Sequence, residues 1–268
     1  MKFSVKSILI FILFISKLSF ALSAEFNGKF IQGSFILGKT EPGSIVLIDD
    51  RKIRVTEDGF FGFGLDRDRK NDITIKVKKN NKLQIYEKKI IKRKYNIQRI
   101  DGLPPKHVTP PPEVYERIKK DNILIGKART IDTAYDFFKK KFIYPIDKYV
   151  ITGVYGSQRI LNGKPRRPHY GIDFHAPEGT PVKAMMDGEV TLAENDMYFT
   201  GGTIIFDHGH GISTLFMHMK KINVKVGQKV KKGQIVGTLG QSGRATGPHL
   251  DIRLNWFDVK LDPASILN

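Results

Sequence analysis

The 268-residue sequence predicts an all-β protein carrying one short helix. Short runs rich in Val, Ile and Thr alternate apolar and polar residues with the period of two expected for half-buried strands. Gly, Pro, Asn and Asp turn signals separate those runs at close intervals. A proline-rich break, DGLPPKHVTPPP at residues 101–112, divides the chain into two β-rich parts.

Taken in order, the chain opens with MKFSVKSILIFILFISKLSFALSAEF. Lys2 and Lys6 make a positive start, Ile8 to Ile15 an apolar run, and Ala21 and Ala24 a small-residue end. That is the pattern of a secretory signal over residues 1–24, cleaved after one of those alanines. An uncleaved anchor is the rival reading, but a span needs about 20 apolar residues and Lys17 interrupts this run. The expected location is therefore outside the cytoplasm, periplasmic or extracellular. The chain has no Cys, so an exported fold must stand on its core or on a metal.

Residues 25–100 read as a small β-sandwich-like domain, built from GSFILGK, SIVLIDD, RKIRVT, ITIKVKK and LQIYEKKI. In ITIKVKK, Ile73, Ile75 and Val77 share one face, while Thr74, Lys76 and Lys78 share the other. Residues 101–147 hold the stiff linker and a helix from Pro112 to about Lys127, with prolines at its start. His107 in the linker reads as a bystander. From residue 148 to 268 short strands and glycine turns return, and six of the seven histidines fall there. The formal net charge of +18 favours polyanionic partners, an anionic wall or envelope surface. A merely solvated lysine-rich surface is the alternative. No Arg-rich, aromatic-interleaved strand points to nucleic acid.

The chemistry-bearing residues cluster in this last part. PHYGIDFHAPEGTPV carries His169 and Asp173, whose Cα atoms would stand about 13 Å apart on an ideal strand. They converge only if His169 ends a loop and Gly171 allows a bend. TIIFDHGHGISTLFMHM reads as a hairpin, with strands at Thr203–Asp207 and Ile212–His218. His208 and His210 are turn residues in this reading, and His218 ends an apolar strand. GRATGPHLDIRL places His249 and Asp251 on one strand face. Asp251 is either a metal-capable group or simply a partner for Arg253. His175 shares a face with Asp173 and is a spare candidate, read as structural.

The motifs PHYGIDFHAPEGTPVKAMMDGEV, DHGHGISTLFMHM and VKVGQKVKKGQIVGTLGQSGRATGPHLDIRL, in that order, resemble the lysostaphin/LytM-type zinc endopeptidases of the bacterial cell wall. The resemblance covers residues 148–268 and implies that family's duplicated hybrid motif β-fold. It implies that His169 and Asp173 are the first two ligands of one zinc ion. His218 then stabilises the transition state, and His249 orients or deprotonates the attacking water. The family's third ligand is the second His of a His-x-His pair, and Asp251 stands there in this chain. An Asp oxygen binds zinc at about the same distance as a His nitrogen. The added anionic charge lowers Lewis acidity and moves preference somewhat toward harder ions such as manganese.

The resemblance therefore implies a metal-dependent endopeptidase that cuts peptide cross-links in peptidoglycan. The rival reading is a degenerate site that binds peptidoglycan, or activates another wall hydrolase, without cutting. The hairpin VKVGQKVKKGQIVG also resembles lipoyl and biotinyl carrier domains, but the histidine set and export signal separate this chain from them.

Overall fold

The computed structural model describes residues 22–102 and 110–267. The leader ahead of Leu22, and most of the proline linker with His107, lie outside the described residues.

Seven strands form the N-terminal part: β1 (Ala24–Asn27), β2 (Phe35–Thr40), β3 (Ile45–Ile48), β4 (Arg51–Ile53), β5 (Phe60–Gly64), β6 (Ile73–Lys79) and β7 (Lys82–Lys88). They make two antiparallel sheets, in strand orders β1-β2-β5 and β4-β3-β6-β7. The alternation in ITIKVKK works as its pattern requires, with Ile73, Ile75 and Val77 buried. Phe61, Phe63, Ile36 and Val46 join them in the core between the sheets. β1 starts at Ala24, and Leu22 before it is already buried in this core.

The helix α1 (Tyr115–Arg129) follows a short 3-10 turn at Pro112–Val114, so its start agrees with the prolines and its end lies two residues beyond the expected Lys127. Among the described residues, no helix is long and apolar enough to cross a membrane.

Strand β8 (Ile97–Ile100) leads out of the N-terminal part. The remaining strands are β9 (Val150–Gly153), β10 (Gln158–Leu161), β11 (Lys164–Pro165), β12 (Gly171–His175), β13 (Pro181–Lys183), β14 (Gly188–Met197) and β15 (Gly201–Asp207). They continue with β16 (Ile212–Ile222), β17 (Lys229–Val230), β18 (Ile235–Leu239), β19 (His249–Trp256) and β20 (Val259–Leu261). The main sheet runs β17-β14-β15-β16-β19-β12-β9, with β13, β18 and β20 attached at its sides. The expected hairpin is present as β15 and β16, and β16 continues past His218 to Ile222.

Alternation along these strands gives the sheet two different faces. One face carries Phe174, Ile204, Phe206, Phe216, Leu250 and Ile252 into the principal core. The other carries Ile205, Leu215 and Met217, against which Ala128 and Ile125 of α1 pack. The helix covers only part of this second face. Asp173, His249 and Asp251 lie on the part beside it, as the pairings Asp173↔Asp251 and Met217↔Asp251 dictate.

The two β-rich parts are not independent modules joined by a tether. Phe138, Ile212, Leu254, Trp256 and Leu261 belong to the same cluster of buried residues as Phe61 and Phe63. β8 also pairs in parallel with β10 of the second part.

Candidate metal centre

β12 and β19 pair antiparallel with Asp173 opposite Asp251 and His175 opposite His249. Cross-strand partners share a face, so this register aims both carboxylates at one point. His169 reaches that point from the irregular segment before β12. Its Nε2 stands 3.1 Å from Asp173 Oδ1 and 3.4 Å from Asp251 Oδ2. One ligand atom from each of the three residues lies within 4.8 Å of the others. The backbone turn that brings His169 in ends where Gly171 begins regular strand. Gly171 therefore provides space rather than the expected bend: a Cβ there would lie 2.3 Å from Asp251 Oδ1.

The N-terminal part holds the His169 segment in place. Buried Arg67 donates from Nη2 to the Gly156 carbonyl at 2.7 Å, with Nε 3.2 Å from the same oxygen. Gly156 in turn donates its N–H to the His169 carbonyl at 2.7 Å. The Tyr95 ring packs where a Gly156 side chain would be, with its nearest atom 2.1 Å from an added Cβ. No local pattern in the sequence signals this linkage, because Arg67 and Gly156 are brought together only by packing.

His218 and His249 stand side by side next to the cluster, ring centroids 4.6 Å apart. His218 Nδ1 donates to the Ser242 carbonyl and His249 Nδ1 to the Gly247 carbonyl, each at 2.8 Å. A carbonyl can only accept, so each ring in its neutral form carries its proton on Nδ1 and keeps an Nε2 lone pair. His218 sits in a β-bulge between the Gly202↔Met219 and Ile204↔Phe216 pairs, with φ of 62°. A bulge re-aims a side chain out of the regular alternation. Burial pushes the His218 pKa below its ordinary value, so the ring rests neutral.

His175, the spare candidate, is exposed and binds the Pro248 carbonyl through Nδ1 at 2.7 Å, outside the cluster. His208 and His210 are buried structural groups. His208 contacts the Asp187 carbonyl through Nδ1 and Thr214 Oγ1 through Nε2, both at 2.8 Å. His210 packs its ring against Phe138.

Two carboxylates facing each other in a largely buried space require positive charge. For Asp251 part of it comes from Arg253, whose Nη2 donates to Oδ2 at 3.0 Å and whose Nε lies 3.3 Å from Oδ1. Burial pushes the Asp251 carboxyl up, but Arg253 and His169 outweigh it and hold the group well below the usual carboxylate range. Burial likewise opposes charge on His169, yet Asp173 and Asp251 raise its pKa to about 10. Asp173 Oδ1 is buried and accepts no well-directed hydrogen bond. A carboxylate oxygen that no donor addresses squarely, a second carboxylate and an imidazole nitrogen make a donor set that fits a zinc-like divalent cation. Such an ion would displace the proton from His169.

Residues 167–263 match the family model for peptidase family M23. The chain is 42% identical over 113 residues to the peptidoglycan DD-endopeptidase ShyA of Vibrio cholerae, covering 41% of this chain and 26% of that protein. It is 36% identical over 131 residues to the DD-endopeptidase ShyC of the same organism, covering 48% and 30% respectively. The chain thus spans less than a third of the length of these curated relatives. A crystal structure from Pseudomonas aeruginosa, assigned to peptidase M23, superposes with a TM-score of 0.67 at 25% identity. That match covers 90% of this chain and 96% of the other, so it takes in the N-terminal sheets as well. Residues 167–263 of this chain thus form a peptidase family M23 domain.

Proposed function

We propose that the chain is an exported, metal-dependent endopeptidase that cuts peptide cross-links of peptidoglycan. One observation carries this reading: His169, Asp173 and Asp251 converge beside two histidines that each keep a free Nε2. The peptidoglycan endopeptidases among its relatives supply the substrate class.

His169, Asp173 and Asp251 would hold one ion, zinc before manganese. When bound, it supplies Lewis-acid polarisation of the scissile carbonyl and activates water as a nucleophile at neutral pH. His249, its Nδ1–H anchored on Gly247, presents Nε2 as the proton acceptor. His218 must first take a proton on Nε2 before it can donate to a developing oxyanion. Its depressed pKa means that it gives that proton back readily. The basic composition, at a formal +18 for the full sequence with Lys2, Lys6 and Lys17 in the signal, favours the anionic envelope in which such a substrate lies. For the signal, cleavage after Ala21 keeps buried Leu22 and all of β1, whereas cleavage after Ala24 removes the first residue of that strand.

The second reading, wall binding or activation of another hydrolase without cleavage, draws on one observation, the Arg253 guanidinium already seated on Asp251. The test is to purify the protein, measure bound metal, and incubate it with purified peptidoglycan beside a His249→Ala control. Stoichiometric metal, with release of cross-linked peptides that the variant fails to produce, supports the enzyme. No metal and no release, with retained sedimentation on the wall, refutes it.

A further inference from the structure

We infer that Arg253 is a charge-balancing positioning residue that lets Asp251 serve where a neutral imidazole would otherwise be the third ligand. The inference rests on the reading that the cluster holds a divalent metal. It concerns how this chain keeps a workable site with a carboxylate at that position.

The geometry is that of a fork. Nη2 and Nε of Arg253 address the two oxygens of Asp251 separately, at 3.0 and 3.3 Å. Residues two apart on a strand share a face, so β19 itself directs both side chains to the same side. The planar guanidinium gives Arg a directional hold on a carboxylate that a lysine lacks. Asp251 is sealed, with 5% of its side chain exposed, while Arg253 keeps 31%. The anion is therefore buried against the cluster and the cation lies on its outer side.

Room for the pair comes from β12. Gly171 is the register partner of Arg253, and a Cβ on it would stand 2.3 Å from Asp251 Oδ1 and 3.0 Å from Arg253 Cγ. A larger residue at 171 would separate the two groups or push Asp251 off the cluster.

Charge counting shows what the pair achieves. A neutral His169, anionic Asp173 and Asp251, and cationic Arg253 sum to one negative charge. Two imidazoles with one carboxylate, and no arginine, give the same sum. Without Arg253 the site would carry two negative charges. Without Asp251 it would carry none, and the arginine would face a divalent ion uncompensated. Arg129, Arg167 and Lys260 add positive charge near Arg253, with Asp258 and Asp66 beside them, and of the carboxylates acting on Arg253 itself Asp251 comes first and Asp173 second.

A zinc titration against a chromogenic chelator, on the purified protein and its variants, tests this directly. Asp251→His restores an imidazole yet is expected to bind zinc at least about tenfold more weakly than the wild type, the size typical for losing a partner around a metal ligand. Asp251→His combined with Arg253→Met should return to near wild-type affinity, because the charge sum returns. Circular dichroism melts report whether each variant folds, and Arg253→Gln replaces Arg253→Met if that variant does not. Four results would overturn the inference. Zinc binding by Asp251→His as tight as wild type sinks the charge balance but leaves the metallopeptidase reading standing. A loss that the second substitution does not restore has the same consequence. If the wild type binds no zinc and Arg253→Met does, Arg253 excludes the metal and both readings fall. No binding by any folded variant also removes both.

Discussion

Acidification should weaken this fold through His208, and the size of the effect follows from its surroundings. The ring is 1% exposed, at the turn of the hairpin whose second strand carries His218. Both nitrogens are engaged, Nδ1 at the Asp187 carbonyl and Nε2 at Thr214 Oγ1. Burial is the dominant influence and lowers the pKa from 6.5 to about 4. The folded pKa lies below the unfolded one. As pH falls through 6.5 the unfolded chain takes up a proton that the folded chain refuses, and stability drops until the folded ring itself titrates near pH 4. A difference of two to three pKa units corresponds to about 3 kcal/mol, lost between pH 6.5 and 4. The assay is urea unfolding of wild type and His208→Gln at several pH values across that window. His210 and His218, also lowered by burial, add the same trend to both proteins, so the difference between them isolates His208. Wild type should lose about 3 kcal/mol more than the variant over the window. Parallel pH profiles for the two proteins would refute the reasoning.

Four other perturbations have definite expected outcomes. Gly171→Ala places a methyl 2.3 Å from Asp251 Oδ1 and 2.4 Å from the Ile252 carbonyl. It should cost about 1–3 kcal/mol in denaturant unfolding, and it should weaken zinc binding as Asp251 is displaced. Arg67→Met removes the guanidinium from the Gly156 carbonyl and so loosens the His169 segment. About 2 kcal/mol of stability should go with it, and zinc titration should show weaker binding although residue 67 is no ligand. Phe61→Ala empties a fully buried position in the shared core. A loss of about 3–5 kcal/mol is expected, in one calorimetric transition, whereas two transitions would mean that the parts unfold separately. His175→Ala should change zinc affinity by no more than about twofold, as for a surface substitution. A large loss would make His175 a ligand.

Much of the architecture was legible along the chain because it is local. Backbone geometry imposes a period of two on any strand, so Ile73, Ile75 and Val77 declared their shared face before any partner was known. The same rule placed His249 and Asp251 side by side on β19, and glycine and turn residues marked the β15–β16 hairpin. The motif order from His169 to Asp251 identified the domain, and the prolines near residue 112 located the start of α1.

What the tertiary structure alone decided depends on groups far apart in sequence. An ideal strand would have separated His169 from Asp173 by about 13 Å, and only the segment pinned through Gly156 to Arg67 brings their reactive atoms to 3.1 Å. The bulge that turns His218 toward His249 arises from a register mismatch between β15 and β16, which no single strand encodes. The proline break divides the chain into two β-rich parts, yet Phe61 and Trp256 share one core because burying apolar surface rewards contact regardless of chain distance. Sequence alone also left Asp251 as either a metal-capable group or a partner for Arg253. The antiparallel register with β12, together with the space at Gly171, makes it face His169 and Asp173 while Arg253 holds it from outside. Strand periodicity follows from the bonds of one chain segment, whereas a site follows from how several segments pack.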